Sequence, residues 1–211
     1  MERVIRTKTR IIEEICNSIT HGLGALAAIT GLVLGIIFLV SSVSFKVSFI
    51  IYCASLIILM TMSTLYHALT FTKAKRVFRV IDHGSIFILI AGSFTPFVIY
   101  LYKGWAQVLF LVFVWLLAVT GIAVTTIFVL PKNMKITGVL LYLVFGWMGL
   151  LLIPKMGLLS TTVIWLLLTG GVLYTLGTIP FALKKPFMHV NWHVFVVLAA
   201  CAHFIAIIKL V

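Results

Sequence analysis

The sequence predicts an all-α integral membrane protein: a bundle of seven transmembrane helices, N-terminus in the cytoplasm and C-terminus outside. Three observations support this. Hydrophobic residues are 63% of the 211, charged residues only 9%, and the mean hydropathy is +1.27, whereas a soluble domain carries about 25% charged residues. Seven apolar runs are each long enough to cross a bilayer. They are continuous rather than alternating, which excludes barrel strands. Finally, twelve of the sixteen Lys and Arg fall on one side of these runs, the bias that orients membrane helices with their basic loops inside.

Residues 1–17 form a short cytoplasmic segment, and 18–211 the membrane domain. The segment is charged and partly amphipathic. Val4, Ile5, Ile11, Ile12 and Ile15 form an apolar face suited to the inner leaflet, with arginines toward anionic headgroups. An ordinary basic flank fits equally well. The segment is too polar, and the run after it too long, for a cleavable signal peptide.

Span one covers 18–42. Its small residues Gly22, Gly24, Ala28, Gly31 and Gly35 include one GxxxG, which predicts close packing within the monomer rather than a dimer face. Span two covers 46–70 and ends near His67. Span three, 78–101, opens near Asp82, the only aspartate, and contains Pro96, a candidate kink. Spans four, five and six cover 105–130, 136–154 and 158–182. Span seven, 188–210, opens with HVNWH. The breaks SSVSFK, TFTKAKR, YKGW, PKNMK, PKMG and KKPFM are polar or contain proline, with Pro131, Pro154, Pro180 and Pro186 near span ends.

The basic residues orient these spans. Arg3, Arg6, Lys8, Arg10, Lys73, Lys75, Arg76, Arg79, Lys132, Lys135, Lys184 and Lys185 share one side. Lys46, Lys103, Lys155 and Lys209 share the other. The net charge of +12 therefore belongs to membrane topology, and nucleic acid is not a predicted partner. Cys16, Cys53 and Cys201 have neither CxxC spacing nor an even count and are expected to be small buried hydrophobes.

Ionisable side chains at membrane depth are costly and mark functional sites. Given the orientation, His67, Asp82, His189 and His193 all fall at the cytoplasmic ends of their spans, at one depth. His189 and His193 are spaced i, i+4 and share a helix face, as do Ser63 and His67. Three imidazoles can hold Zn2+ and leave a fourth position open. Asp82 would then orient a water or take its proton, with Ser63 assisting. A proton relay without metal uses the same residue types. Glu14, Asn17 and His21 follow i, i+3, i+7 on one face at the same level, either as a polar helix entry or as supports for the metal. His203 lies about 15 Å further along its helix than His193 and cannot share the ion, so it is expected to hydrogen-bond a neighbouring helix. His83 should point about 100° away from Asp82.

Glu14–His21 (ExxNxxTH), Ser63–His67 (SxxxH), DHGSIFILIAGSFTPF from Asp82, and His189–His193 (HxxxH) occur in order on the expected spans. Together they resemble the hemolysin III family, the bacterial branch of the progestin/adiponectin-receptor superfamily. The resemblance covers nearly the whole chain. It implies a seven-helix zinc membrane protein with the adiponectin-receptor fold. His67, His189 and His193 would be the ligands, Asp82 would reach the metal through water, and Ser63 would lie beside it. The wider group includes alkaline ceramidases, which hydrolyse lipid amides. Some bacterial members are described as hemolysins, and others are linked to membrane fluidity. A large extra N-terminal domain like that of the animal receptors is not expected here.

The sequence thus predicts a multi-pass plasma-membrane protein whose partners are membrane lipids. Its leading reading is a zinc-dependent hydrolase of lipid amides or esters. The rivals are a non-enzymatic sensor of membrane homeostasis, or a pore-forming hemolysin (cytolysis), with structural zinc. A proton-coupled transporter is a third option, but paired broken helices are not evident. The oligomeric state is left open.

Overall fold

The computed structural model describes residues 2–129, 135–183 and 185–211. Pro131, Lys132 and Lys184, and the side chains of Arg3, Val4, Ile5, Arg6 and Lys135, lie outside the described part. Seven described helices are long and apolar enough to cross a membrane, and no strand occurs among the described residues. They are α1 (Glu2–Phe38), α2 (Val43–Ala68), α3 (Lys75–Leu101), α4 (Gly104–Val124), α5 (Lys135–Trp147), α6 (Thr161–Ala182) and α7 (Met188–Ile208). α4 runs on as a π turn over Thr125–Val129, and α5 as a 3-10 stretch over Met148–Leu158. The chain is a multi-pass membrane protein. Leu26, Ile37, Leu109, Ile136 and Trp165 are among many large apolar side chains on its outer surface, as a lipid environment permits and water does not.

Local chemistry accounts for the boundaries. The Ser42 hydroxyl accepts from the Phe45 N–H at 3.3 Å and caps α2, and Ser160 caps α6 in the same way through Val163. Gly104, at φ 59°, makes the left-handed turn into α4. Two boundaries differ from the sequence expectation. α1 carries the segment up to residue 17 into the membrane without a break, because nothing between Arg10 and Gly22 stops a helix. The fifth span continues past Pro154 to Leu158, because a 3-10 stretch accommodates the ring. Pro96 likewise sits inside an unbroken α3.

α1, α2 and α3 pack in sequence, α6 packs on α7, and α7 closes back onto α1. α3 is the central helix: 67% of its most apolar window is buried, against 11% for the fifth span. Small residues set these contacts. A Cβ on Gly31 would sit 2.7 Å from Phe204 of α7, and one on Gly35 would overlap the Phe49 ring of α2. The GxxxG face is therefore used inside the monomer. Polar side chains bond backbone across helices, as expected where water is absent. The Tyr52 hydroxyl donates to the Ala200 carbonyl at 3.0 Å, and His203 Nε2 donates to the Leu167 carbonyl at 3.4 Å. His203 thus ties α7 to α6, away from the other histidines. Of the cysteines, only Cys53 is fully buried. Cys16 is half-buried and Cys201 exposed, so the expectation of three buried thiols is corrected. A thiol is apolar enough to face lipid.

Candidate metal centre

One end of the bundle gathers nearly all the polar side chains singled out in the sequence. His67 stands in the last turn of α2, His189 and His193 in the first two turns of α7. One ring nitrogen from each lies within 4.8 Å of the others, forming a group that can hold a metal ion. Ring centroids are 4.8 Å apart for His67–His193 and His189–His193, and 5.1 Å for His67–His189. A tetrahedral zinc site wants about 3.4 Å between ligand nitrogens, so at most about 0.8 Å of movement per ring closes the set.

α1 supplies no ligand but holds the ligands. His67 Nδ1–H donates to Glu14 Oε2 at 2.6 Å, which leaves Nε2 buried with its lone pair unused and no partner among the described residues. His193 Nδ1–H donates to the Asn17 carbonyl at 3.2 Å, which leaves its Nε2 as the nitrogen with a free lone pair. A bond at one ring nitrogen fixes which nitrogen can meet a metal. The second Glu14 oxygen accepts from the Thr70 hydroxyl at 3.1 Å, and Thr70 accepts from Lys75 Nζ. One residue earlier, Glu13 Oε1 accepts the Phe187 N–H at 3.0 Å. Phe187 has φ 62°, a left-handed conformation that strains a side-chain-bearing residue. Glu13 pins that strained turn two residues before His189. Arg10 lies over the Phe71 ring at 5.8 Å. This stretch of α1 therefore packs against the bundle, although Ile11, Ile12 and Ile15 still face outward.

A cleft opens beside the histidines. Ser63, Asp82, His189 and His193 line it together with His21. The depth match expected for α2, α3 and α7 is thus realised. Asp82 and Ser63 are buried, and Asp82 Oδ2 lies 3.5 Å from His83 Nδ1. His21 stacks on His193 at 3.7 Å between ring centroids, with 12° between planes. Glu14, Asn17 and His21 therefore all touch the ligand set. His83, Tyr142, Phe181 and Trp192 also line the cleft and were not anticipated as site residues. The ring of His83 bends back along the helix toward its neighbour's carboxylate, which a simple 100° argument misses. The other three belong to apolar runs, which mark no inward face.

The donor set fits a divalent cation. Three imidazoles in contact cannot all be protonated, and the neutral form is the one that ligates. Glu14 and Asp82 bring two carboxylates, half of the four acidic residues in the chain, to one low-dielectric site. Burying two negative charges is costly unless positive charge offsets them, and an ion of charge +2 does so.

Known proteins resemble this chain over nearly its whole length. A family model described as "Haemolysin-III related" matches residues 9–204. The chain is 41% identical over 202 residues to the "Hemolysin-3 homolog" of Bacillus subtilis (strain 168), with 94% of each chain covered. It is 37% identical over 199 residues to "Hemolysin-3" of Bacillus cereus, covering 92% of this chain and 90% of that one. The human "Monocyte to macrophage differentiation factor" is 29% identical over 211 residues, covering 97% and 87%.

Proposed function

The chain belongs to the haemolysin-III related family, and from that premise we propose that it is a zinc-dependent membrane hydrolase of lipid amides or esters. The observation that carries this reading is the division of labour in the cleft. Three imidazoles converge, two of them, His67 and His193, with the outer nitrogen already engaged, while a separate buried carboxylate, Asp82, lines the cleft beside His189 and His193. Three protein ligands leave a metal position open, whereas a purely structural zinc site is closed by four.

His67, His189 and His193 would hold the ion. Bound there, zinc would supply Lewis acidity toward a carbonyl and bring the pKa of a water to about 7. Asp82 would take the proton of the attacking water and return it to the leaving amine or alkoxide. Ser63 would donate a hydrogen bond to the carbonyl oxygen. Glu14 and the Asn17 carbonyl would keep the ligand nitrogens in the required tautomer. The substrate would enter laterally from the bilayer. By the bias of its basic residues, this end of the bundle, and the N-terminus, would lie in the cytoplasm.

Asp82→Asn is the discriminating variant. It should keep its zinc, since all three histidines remain, yet lose about 10²–10⁴-fold in lipid turnover. Cells producing the variant at wild-type level report both quantities. Full turnover in a zinc-loaded Asp82→Asn protein would remove the hydrolase reading. One observation favours a second reading: a relative covering nearly the whole chain is named "Hemolysin-3". A cytolytic or membrane-sensing role with structural zinc predicts that Asp82→Asn acts like wild type, while loss of a histidine destabilises the bundle.

A further inference from the structure

His21 is the one member of the polar cluster whose chemistry neither folding nor metal binding uses. It is 3% exposed. Neither ring nitrogen meets a hydrogen-bond partner of normal geometry among the described residues. The backbone of His193 offers a weak contact, which can serve at most one of the two nitrogens. His21 is also outside the group of three whose nitrogens converge. Its neighbours on the α1 face are both engaged with ligands, Glu14 with His67 and the Asn17 carbonyl with His193. His21 only stacks on His193, and a phenyl ring would do that without burying two unpaired polar atoms. The Asn17 side-chain Oδ1, one turn before it, is likewise buried without a partner among the described residues. His21 lines the cleft that Ser63 and Asp82 line from α2 and α3.

We infer that His21 touches the substrate: it hydrogen-bonds the polar group of the enclosed lipid and so positions the scissile carbonyl from α1, across from Asp82 and Ser63. This rests on the zinc-hydrolase reading above. A neutral imidazole offers one donor and one acceptor. It therefore suits a group carrying both a carbonyl oxygen and an N–H or O–H. The stack on His193 fixes the ring, so the hydrogen bond is aimed in advance rather than found by a flexible side chain.

The test uses the full-length protein in detergent, loaded with zinc, and acetohydroxamate as the probe, since it carries a carbonyl, an N–H and an O–H. His21→Phe keeps the stack and deletes both nitrogens. It should retain wild-type zinc content but bind acetohydroxamate about tenfold more weakly, the size of one hydrogen bond. His21→Gln, which restores a donor and an acceptor, should recover most of that loss and also serves if His21→Phe does not fold. A packing role predicts the reverse order, with Phe tolerated and Gln not. Equal hydroxamate affinity in zinc-loaded wild-type and His21→Phe proteins overturns the role of His21 alone, as does zinc-loaded wild type that ignores the probe. A wild-type protein that takes up no zinc overturns the metal reading, and the role of His21 with it.

Discussion

Replacing Glu14 by Gln removes one charge and little volume, and it asks how much a helix without ligands contributes to a metal site. The Glu14 carboxylate accepts a hydrogen bond from His67 Nδ1–H at 2.6 Å and is only 17% exposed, so solvent screens the bond little. Charge-assisted hydrogen bonds of this kind contribute about 1.5–3 kcal/mol. Part of this is ligand strength: a negative partner makes Nε2 a better donor to a cation. Loss of such outer partners costs about 10–100-fold in metal affinity, equivalent to about 1.4–2.7 kcal/mol, so the two estimates agree. Thr70→Val deletes a neutral donor to the other carboxylate oxygen, 3.1 Å away. It should cost less, about 2–10-fold, because this bond is longer and lies on the carboxylate oxygen that does not meet His67, so it acts on the metal only through Glu14. The assay is competition for zinc between purified protein and a chelator of known affinity. Zinc dissociation constants within twofold of each other for wild type and Glu14→Gln would refute the claim that Glu14 acts on the metal through His67.

Two further outcomes follow from the fold. Single cysteines at 75 and 184 should label from the cytoplasm, and those at 103 and the C-terminus from outside, in a protein lacking Cys16, Cys53 and Cys201; a cytoplasmic C-terminus would reverse the proposed orientation. Gly35→Ala places a methyl on the Phe49 ring in the core. It should lower stability by about 1–3 kcal/mol without changing oligomeric state, read by thermal unfolding and size-exclusion chromatography; an unchanged melting temperature would mean the helices do not meet there.

The candidate ligand histidines were legible because lipid makes an ionisable side chain conspicuous, and because topology put His67, His189 and His193 at one depth. The α1 face was legible as geometry, through the i, i+3, i+7 spacing of Glu14, Asn17 and His21, but not as function. Asn17 reaches His193 through its backbone carbonyl, which any residue would present. Glu13 was invisible for another reason: its partner is the N–H of Phe187, freed by a left-handed backbone that no residue type there announces. Tyr142 was hidden because α5 is apolar nearly all round, and a helix without a polar face does not declare which side is inward. Cys201 was misplaced because burial was inferred from residue type, while in lipid the outer face welcomes the same chemistry.

The central claim is that His67, His189 and His193 jointly bind zinc. Elemental analysis of the purified protein, prepared without chelators, tests it most directly. Wild type should carry about one zinc per chain, and His67→Ala, His189→Ala and His193→Ala should each lose most of it while remaining folded enough to purify. A zinc-free wild-type protein, or full zinc content in His193→Ala, would contradict it.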